Sequence, residues 1–402
     1  TTVAHAFRIL NADDPVVARV ARSALVEAVR RKIRREPNEE DIAGYLSGSV
    51  EGDLALPSTS RASFWSRVRA AAARTAKKIG YRWRWDSGRA ELSLECPARG
   101  GRKVTVPPAA KRQVIGRMRA AVSEHYMSVL LAKPDQGKVF EATSRHGASN
   151  RFMRSGKFIR FADWRFVHRA RLDVLPLNGA RRWGAGDRRC RRCGYASETL
   201  PHLLCHCGPL SAARQLRHNA IVERLAAASR LPGEVRLNQR VQGVDGDLAA
   251  LRPDIVVTHE PSRTVVIVDV TVPFENTFAA LEAARVEKVQ KYQPLADALR
   301  GRGYVVHVDG FVVGALGAWH PNNDGLASFL RVSSRYASLM RLLMVSETIA
   351  WSRDMYVEHV SGIRQYSVLD AAAPATVAPE STLAIASAVD GGVAAVDEAL
   401  VG

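Results

Sequence analysis

The chain has 402 residues, 47% of them apolar, with 58 Lys and Arg against 40 Asp and Glu and a net charge of +18. That length allows two or three domains with sizeable cores, and the charge predicts attraction to a polyanion, nucleic acid before any other. Four of the five cysteines lie between 190 and 207, which fits an intracellular metal site better than a secreted disulfide scaffold, and no apolar run reaches the roughly 18–20 residues that span a bilayer. Residues 1–20 lack the apolar core of a signal peptide. The chain opens Thr-Thr rather than Met, so a fragment or a processed product is expected.

Residues 15–36 read as a basic helix with Asp13 or Asp14 as N-cap and Pro15 in the first turn. Ala12-Asp13-Asp14 resembles a polymerase carboxylate pair, but a helix follows where that chemistry needs a hairpin. Residues 37–47 read as a short helix with acids in its first turn. A basic helix follows at 61–80, then a hairpin at 91–106 and a helix at 107–132. From Phe140 to Trp183, arginines interleave with Phe152, Phe158, Phe161, Trp164, Phe166 and Trp183. Such a segment suits phosphate contacts with base stacking; the alternative is aromatics in a core and arginines in water. From Leu251 the pattern becomes strand, turn, strand, long helix, further strands, and a helical stretch at 325–360. Beyond Leu369 the chain is rich in Ala, Val, Pro and Ser without Lys or Arg, and a disordered tail over 370–402 is expected.

Cys190-x2-Cys193-x8-His202-x4-Cys207 has the ligand types and spacing of a closed tetrahedral zinc site. Cys205 and His206 compete for the last position. Only two residues separate His202 from Cys205, a tighter turn, so Cys207 is preferred. The alternative is a set of buried thiols without metal. Arg181, Arg182, Arg188, Arg189, Arg191 and Arg192 surround the first pair and are expected, with Arg169 and Arg171, to face a nucleic-acid backbone.

Arg252-Pro253-Asp254 leads into Ile255-Val256-Val257, and Asp269 sits inside an otherwise Val and Ile run over 264–272. A lone carboxylate there is costly to desolvate without a cation. Lys288 falls on the apolar stripe of a helix over 277–301, seven residues after Leu281 and four before Tyr292, with a kink or break expected at Pro294. Two carboxylates on adjacent strands can hold Mg²⁺, which polarises a phosphodiester and makes hydroxide available. A nearby lysine orients water or stabilises the transition state. This is the arrangement of restriction-like nucleases, here with fourteen residues between the aspartates. Lys133-Pro134-Asp135 is a decoy, because no acid-bearing strand follows it. The alternative is a structural Asp269–Lys288 ion pair without metal.

The order of these pieces resembles the C-terminal part of site-specific non-LTR retrotransposon proteins that insert into ribosomal RNA genes. The most specific pieces are Asp269-Val270-Thr271-Val272-Pro273-Phe274-Glu275 and Glu287-Lys288-Val289-Gln290-Lys291-Tyr292. The segments 161–172 and 175–178 are similar to that family's linker before its knuckle, and 44–49 and 64–67 to its post-polymerase region, so the likeness spans roughly residues 10–365. It implies a mainly helical basic region over 1–130, a basic and aromatic linker over 131–185, a CCHC zinc knuckle over 186–230 and an α/β restriction-like endonuclease over 231–369. That last domain is expected to be a mixed sheet of strands near 253–259, 264–272 and 304–316, flanked by helices. The resemblance further implies structural Zn²⁺ and catalytic Mg²⁺, with Asp254 and Asp269 as metal ligands, Lys288 as catalytic lysine, and Tyr292 and Glu275 as further site residues. The implied activity is a nick in double-stranded ribosomal DNA whose 3′ end primes reverse transcription of the element's RNA, in the nucleus and without a membrane. The polymerase core itself is not among these 402 residues. The alternative is a DNA- or RNA-binding module with a degenerate nuclease.

Overall fold

The computed structural model describes residues 1–57, 62–180 and 186–366. The expected contacts of Arg181 and Arg182, the aromatic Trp183 and the expected tail over 370–402 lie outside them. The chain begins with four helices, α1 (Thr2–Leu10), α2 (Pro15–Ile33), α3 (Glu39–Ser47) and α4 (Phe64–Ile79). Asp14, not Asp13, caps α2: its Oδ1 accepts from Val16 N at 2.8 Å. Asp13 instead pairs with Lys111 at 2.5 Å, which ends its resemblance to a polymerase acid. Asn38 and Asp41 close a reciprocal capping box on α3.

These helices pack on a three-stranded antiparallel sheet, β1 (Arg82–Asp86), β2 (Glu91–Pro97) and β3 (Lys103–Val106), in the order β1-β2-β3. The expected hairpin is therefore the outer part of a larger sheet. Its first strand, Arg-Trp-Arg-Trp-Asp, sends Trp83 inward against Phe7, ring centroids 5.3 Å apart. Phe7, Leu25, Val29, Leu46, Trp65, Val68 and Leu94 complete this core. The next helix, α5 (Val114–Leu131), starts later than expected, since Pro107 and Pro108 lead into a 3₁₀ stretch.

Beyond α5 come α6 (Gln136–Ser144), α7 (Arg151–Ser155), α8 (Phe161–Arg171) and α9 (Ser211–Ala228), then a second sheet. Its strands are β4 (Glu234–Leu237), β5 (Ile255–His259), β6 (Thr264–Thr271) and β7 (Val305–Val312), in the order β4-β5-β6-β7. The pairs β4–β5 and β5–β6 are antiparallel, while β6 and β7 run parallel. Helix α10 (Phe278–Gly301) makes the crossover that a parallel pair requires. It runs unbroken through Pro294, contrary to the expected break. Tyr292, Leu295, Ala296 and Leu299 pack on the sheet on both sides of the proline and hold the turn that lacks a backbone donor. Two helices, α11 (Asn322–Phe329) and α12 (Ser334–Ser361), close the other face. Among the described residues, no helix is long and apolar enough to cross a membrane.

Period two sorts the sheet residues between its faces. Val256, Val265 and Ile267 pack under α10. Val257, Val266, Val268 and Val270 face a second core that also holds Phe166, Leu203, Leu204, Ile221, Leu225 and Met344. That second core runs from Val139 to Met355, so the basic linker, the cysteine-rich turn and the sheet pack as one body.

Two buried charges fasten it. Arg171 is 0% exposed; it donates to Leu316 O at 2.7 Å, Ser149 O at 2.9 Å and Asn150 Oδ1 at 2.7 Å. Glu275, equally buried, accepts through Oε1 from Leu316 N at 2.7 Å and Ala318 N at 3.0 Å. The loop after β7 is thus gripped at both polar atoms of Leu316. Burial lowers Arg171 to about 10 and raises Glu275, each held towards its charged form by the other. We predict that Arg171→Met costs about 3–5 kcal/mol in urea unfolding, because it leaves the buried acceptors Leu316 O, Ser149 O and Asn150 Oδ1 unpaired and takes a cation from the neighbourhood of the buried Glu275 carboxylate. Adding Glu275→Gln should recover part of that loss, and a single-variant loss below about 1 kcal/mol would refute the clamp.

Candidate functional site

Asp254 and Asp269 have the strand parity of Val256 and Ile267, so both belong to the face covered by α10. Both carboxylates are buried. Helix α10 brings Lys288 and Tyr292, four residues apart and hence on one face, over this pair. Lys288 Nζ lies 2.8 Å from Asp269 Oδ2. The Tyr292 hydroxyl donates to Asp269 Oδ1 at 2.9 Å and approaches Arg252 O at 3.1 Å. The backbone N–H of Asp254 donates to Asp269 Oδ1 at 3.3 Å. The structure therefore brings together Asp254, Asp269 and Lys288, the three residues of the sequence pattern, and Tyr292, which the resemblance added. Tyr292 is fully buried, so direct contact with a substrate is not open to it; it acts through Asp269. Glu275 is no part of this group, being spent on the loop at 316–318.

The fifth member was not foreseen. His218, from the middle of α9, places Nε2 3.0 Å from Asp254 Oδ2 and 3.2 Å from Val270 O. Val270 N also donates to Asp254 Oδ2 at 2.6 Å. Nothing in the sequence around His218 marks it, because it meets Asp254 only through the packing of α9 on the sheet. Burial alone would lower its imidazole, but the hydrogen bond and charge of Asp254 raise it above the ordinary value. Burial likewise raises Asp254, and the hydrogen bond and charge of His218 bring it below the usual carboxylate range. Burial, with the adjacent Asp269 carboxylate, raises Tyr292, so it stays a neutral donor. Each carboxylate oxygen has two lone pairs, so these donors leave acceptor sites on Asp254 and Asp269 for a hard cation.

The cysteine-rich segment closes on itself. Gly194, at φ 72°, and the bond from its N–H to Cys190 O at 2.9 Å make the first tight turn. A π-helical turn over His202–His206 presents the other two ligands. Cys190 Sγ lies 3.9 Å from Cys207 Sγ, Cys193 Sγ 3.3 Å from His202 Nε2 and 4.0 Å from Cys207 Sγ. A zinc tetrahedron needs edges of about 3.8 Å between sulfurs and about 3.5 Å from sulfur to nitrogen, so these four residues fit the ion. Burial and the nearby Cys190 push the Cys207 thiol up to about 12, and burial keeps His202 in the neutral form that ligates. Cys207 completes the set; Cys205 turns away towards Val272 O at 3.8 Å.

Behind the cluster lies a buried carboxylate that sequence reading missed. Glu198 accepts from Asn178 N at 2.7 Å, from Arg191 Nε and Nη2 at 2.8 Å each, and from His359 Nε2 at 2.9 Å. Burial opposes its charge, yet these partners hold it down to about 2. His359 ends α12 and is 3.9 Å from Cys190 Sγ, so the long helix is tied to the cluster.

Of the expected nucleic-acid contacts, the structure removes Arg171. Arg171 is interior, as shown above. Arg191 is bidentate to Glu198, and Arg192 donates to His359 O at 2.8 Å and Glu358 O at 3.0 Å. Both residues are exposed, with their guanidinium groups engaged by a buried carboxylate and by helix-terminal carbonyls. Arg169, Arg188 and Arg189 are exposed; Arg188 donates to Gly179 O and Arg189 pairs with Asp187.

No family model matches the chain. It is similar to three proteins described as "Retrovirus-related Pol polyprotein from type-1 retrotransposable element R2", all from Popillia japonica. One is 32% identical over 185 residues, 44% of this chain and 37% of that protein. Another is 28% identical over 173 residues, 42% and 38% respectively, and a third 29% over 224 residues, 52% and 30%. The similarity supports a non-LTR retrotransposon protein. The matched segments cover between 30% and 38% of the length of these relatives.

Two expectations follow from the geometry. Metal analysis of the purified chain should find about one zinc per chain, lost with a lower melting temperature in Cys207→Ser and retained in Cys205→Ser; zinc loss in both or neither would refute the ligand set. For the His218–Asp254 pair, the raised histidine contributes stability that is full below its unfolded value near 6.5 and lost as pH rises through its folded value. The lowered aspartate contributes above its unfolded value of about 3.9, and loses that contribution as pH falls through its folded value. His218→Gln keeps a donor without the charge, so without added divalent cation its stability penalty should be larger at about pH 5.5 than at about pH 8.5. Equal penalties at both values would remove the ion pair.

Proposed function

We propose that the chain is the nucleic-acid-binding and strand-nicking part of a non-LTR retrotransposon protein, hydrolysing one phosphodiester of double-stranded DNA. The observation that carries this reading is the convergence of Asp254, Asp269 and Lys288 on the face of β5 and β6 under α10. The order of the sheet, with a hairpin followed by a parallel crossover strand, is compatible with a restriction-like nuclease. Asp254 and Asp269 would hold a divalent cation such as Mg²⁺, which when bound supplies Lewis acidity and a hydroxide near neutral pH. Lys288 orients Asp269 and offers positive charge to a phosphoryl oxygen in the transition state. Tyr292 fixes the Asp269 carboxylate from behind, and His218 does the same for Asp254. The cysteine–histidine cluster takes a structural zinc that shapes the neighbouring basic surface. By likeness to the R2 proteins, the nick would present a 3′ end to a polymerase for target-primed copying of the element's RNA in the nucleus, with ribosomal DNA as target.

One observation favours a second reading, a binding module without catalysis. Lys288 and His218 already balance Asp269 and Asp254 within hydrogen-bond distance, as a structural ion-pair network would. Nicking of supercoiled plasmid separates the two. With Mg²⁺ the wild type should nick, Asp254→Ala and Asp269→Ala should lose all detectable activity, and Lys288→Ala should fall by about 10²–10³-fold. Tyr292→Phe should fall less, since its hydroxyl meets only Asp269 and a carbonyl. Binding without nicking, on plasmid and on ribosomal DNA alike, would leave the binding module.

A further inference from the structure

The aromatics between Phe140 and Trp183 divide sharply. Phe152 and Phe166 are core, Phe166 lying 5.5 Å from Tyr356. Phe161 is 71% exposed. Leaving it in water forgoes most of the stabilisation that burial of such a ring provides. Yet the ring is ordered by its neighbours. It stacks on Trp164 with centroids 6.0 Å apart and planes 8° from parallel, and Trp164 stacks on His168 at 5.3 Å and 3°. These residues follow the i, i+3, i+7 spacing of one helix face. Trp164 packs partly against the main core and anchors the ladder. Parallel stacking, unlike an edge-on contact, leaves the terminal ring a flat π face for one more ring.

The charges beside the ladder are positive. Arg165 and Arg169 are exposed and make no ion pair among the described residues; the Arg165 guanidinium lies 6.0 Å from the Phe161 centroid. The acid of α8, Asp163, is buried and held by Arg160 at 2.7 and 3.0 Å. A flat aromatic face rimmed by exposed guanidinium groups matches a polyanion that carries its own stackable rings. A duplex keeps its bases stacked on one another, whereas an unpaired strand offers them.

We propose that the outer face of α8, with Phe161 as its terminal ring and Arg165 and Arg169 beside it, is a stacking platform for an unpaired stretch of nucleic acid. The proposal rests on the nucleic-acid-binding part of the function above and is independent of the carboxylate site.

The test is fluorescence anisotropy of the 402-residue chain without magnesium. The probes are a labelled single-stranded oligodeoxynucleotide, its RNA counterpart, the same sequence as a duplex, and an abasic strand of equal length. Phe161→Ala should weaken single-strand binding by about 5- to 100-fold, on DNA, RNA or both, which also identifies the strand. Binding to the duplex and to the abasic strand should not change, and Phe161→Trp should restore the loss. The loss should be the same at low and high salt, since stacking releases no counterions, whereas Arg165→Gln should weaken every probe and lower the salt slope by about one. Phe161 makes little contact with the core, so the variant is expected to fold. Wild-type affinity of Phe161→Ala for both single strands, or an equal loss on duplex and abasic probes, would overturn the platform. Failure of plasmid nicking leaves this test standing.

Discussion

A carboxylate in the middle of a strand buried on both faces has to meet a cationic group or a donor, and Asp269 imposes that demand on everything around it. Its neighbours along β6 are valines and an isoleucine packed against helices on either side. Burial leaves it little water, so Lys288 from α10, the hydroxyl of Tyr292 and the amide of Asp254 supply most of its hydrogen bonds. This requirement sets the register of α10 over the sheet, because a shift of one residue would carry Lys288 and Tyr292 off the face that holds the aspartates. The same arrangement concentrates two carboxylates and a lysine where a cation and a phosphodiester could be handled. Folding and the proposed chemistry therefore draw on one charge balance.

The second constraint is that the basic linker, the cysteine cluster and the sheet share a core. Arg171 ties α8 to the loop after β7, and Glu275 grips the same loop from the end of β6. Glu198 joins Arg191 of the cluster to His359 at the end of α12. Buried charges of this kind add little net stability against an apolar core of equal volume, and the penalty for removing a partner is large. Their effect here is orientation. A zinc bound by the cysteines would fix the end of a helix that also covers the sheet.

Several elements were legible from residues alone. The continuous β-branched runs marked β5 and β6, the Pro-Asp turn placed Asp254 beside them, and the stripe on α10 exposed Lys288 as a residue in the wrong environment. The ligand spacing separated Cys207 from Cys205. The short edge strand β4 and the strand β1 escaped because their charged and apolar alternation lasts only four and five residues. Pro294 suggested a break that the packing of Tyr292, Leu295 and Leu299 overrides.

The sequence by itself determined the two constellations, since a metal site and a strand carboxylate require particular residue types at particular spacings. It could not determine which arginines reach solvent. Arg169 and Arg171 lie two positions apart on one helix, which puts them on different sides of it; one is exposed, the other is the most deeply tied cation in the core. Nor could it reveal His218, Glu198 and His359, whose partners stand 36, 161 and 161 positions away in the chain. Those assignments were decided by tertiary packing, because burial and partnership depend on which helix faces meet, and local spacing does not encode that.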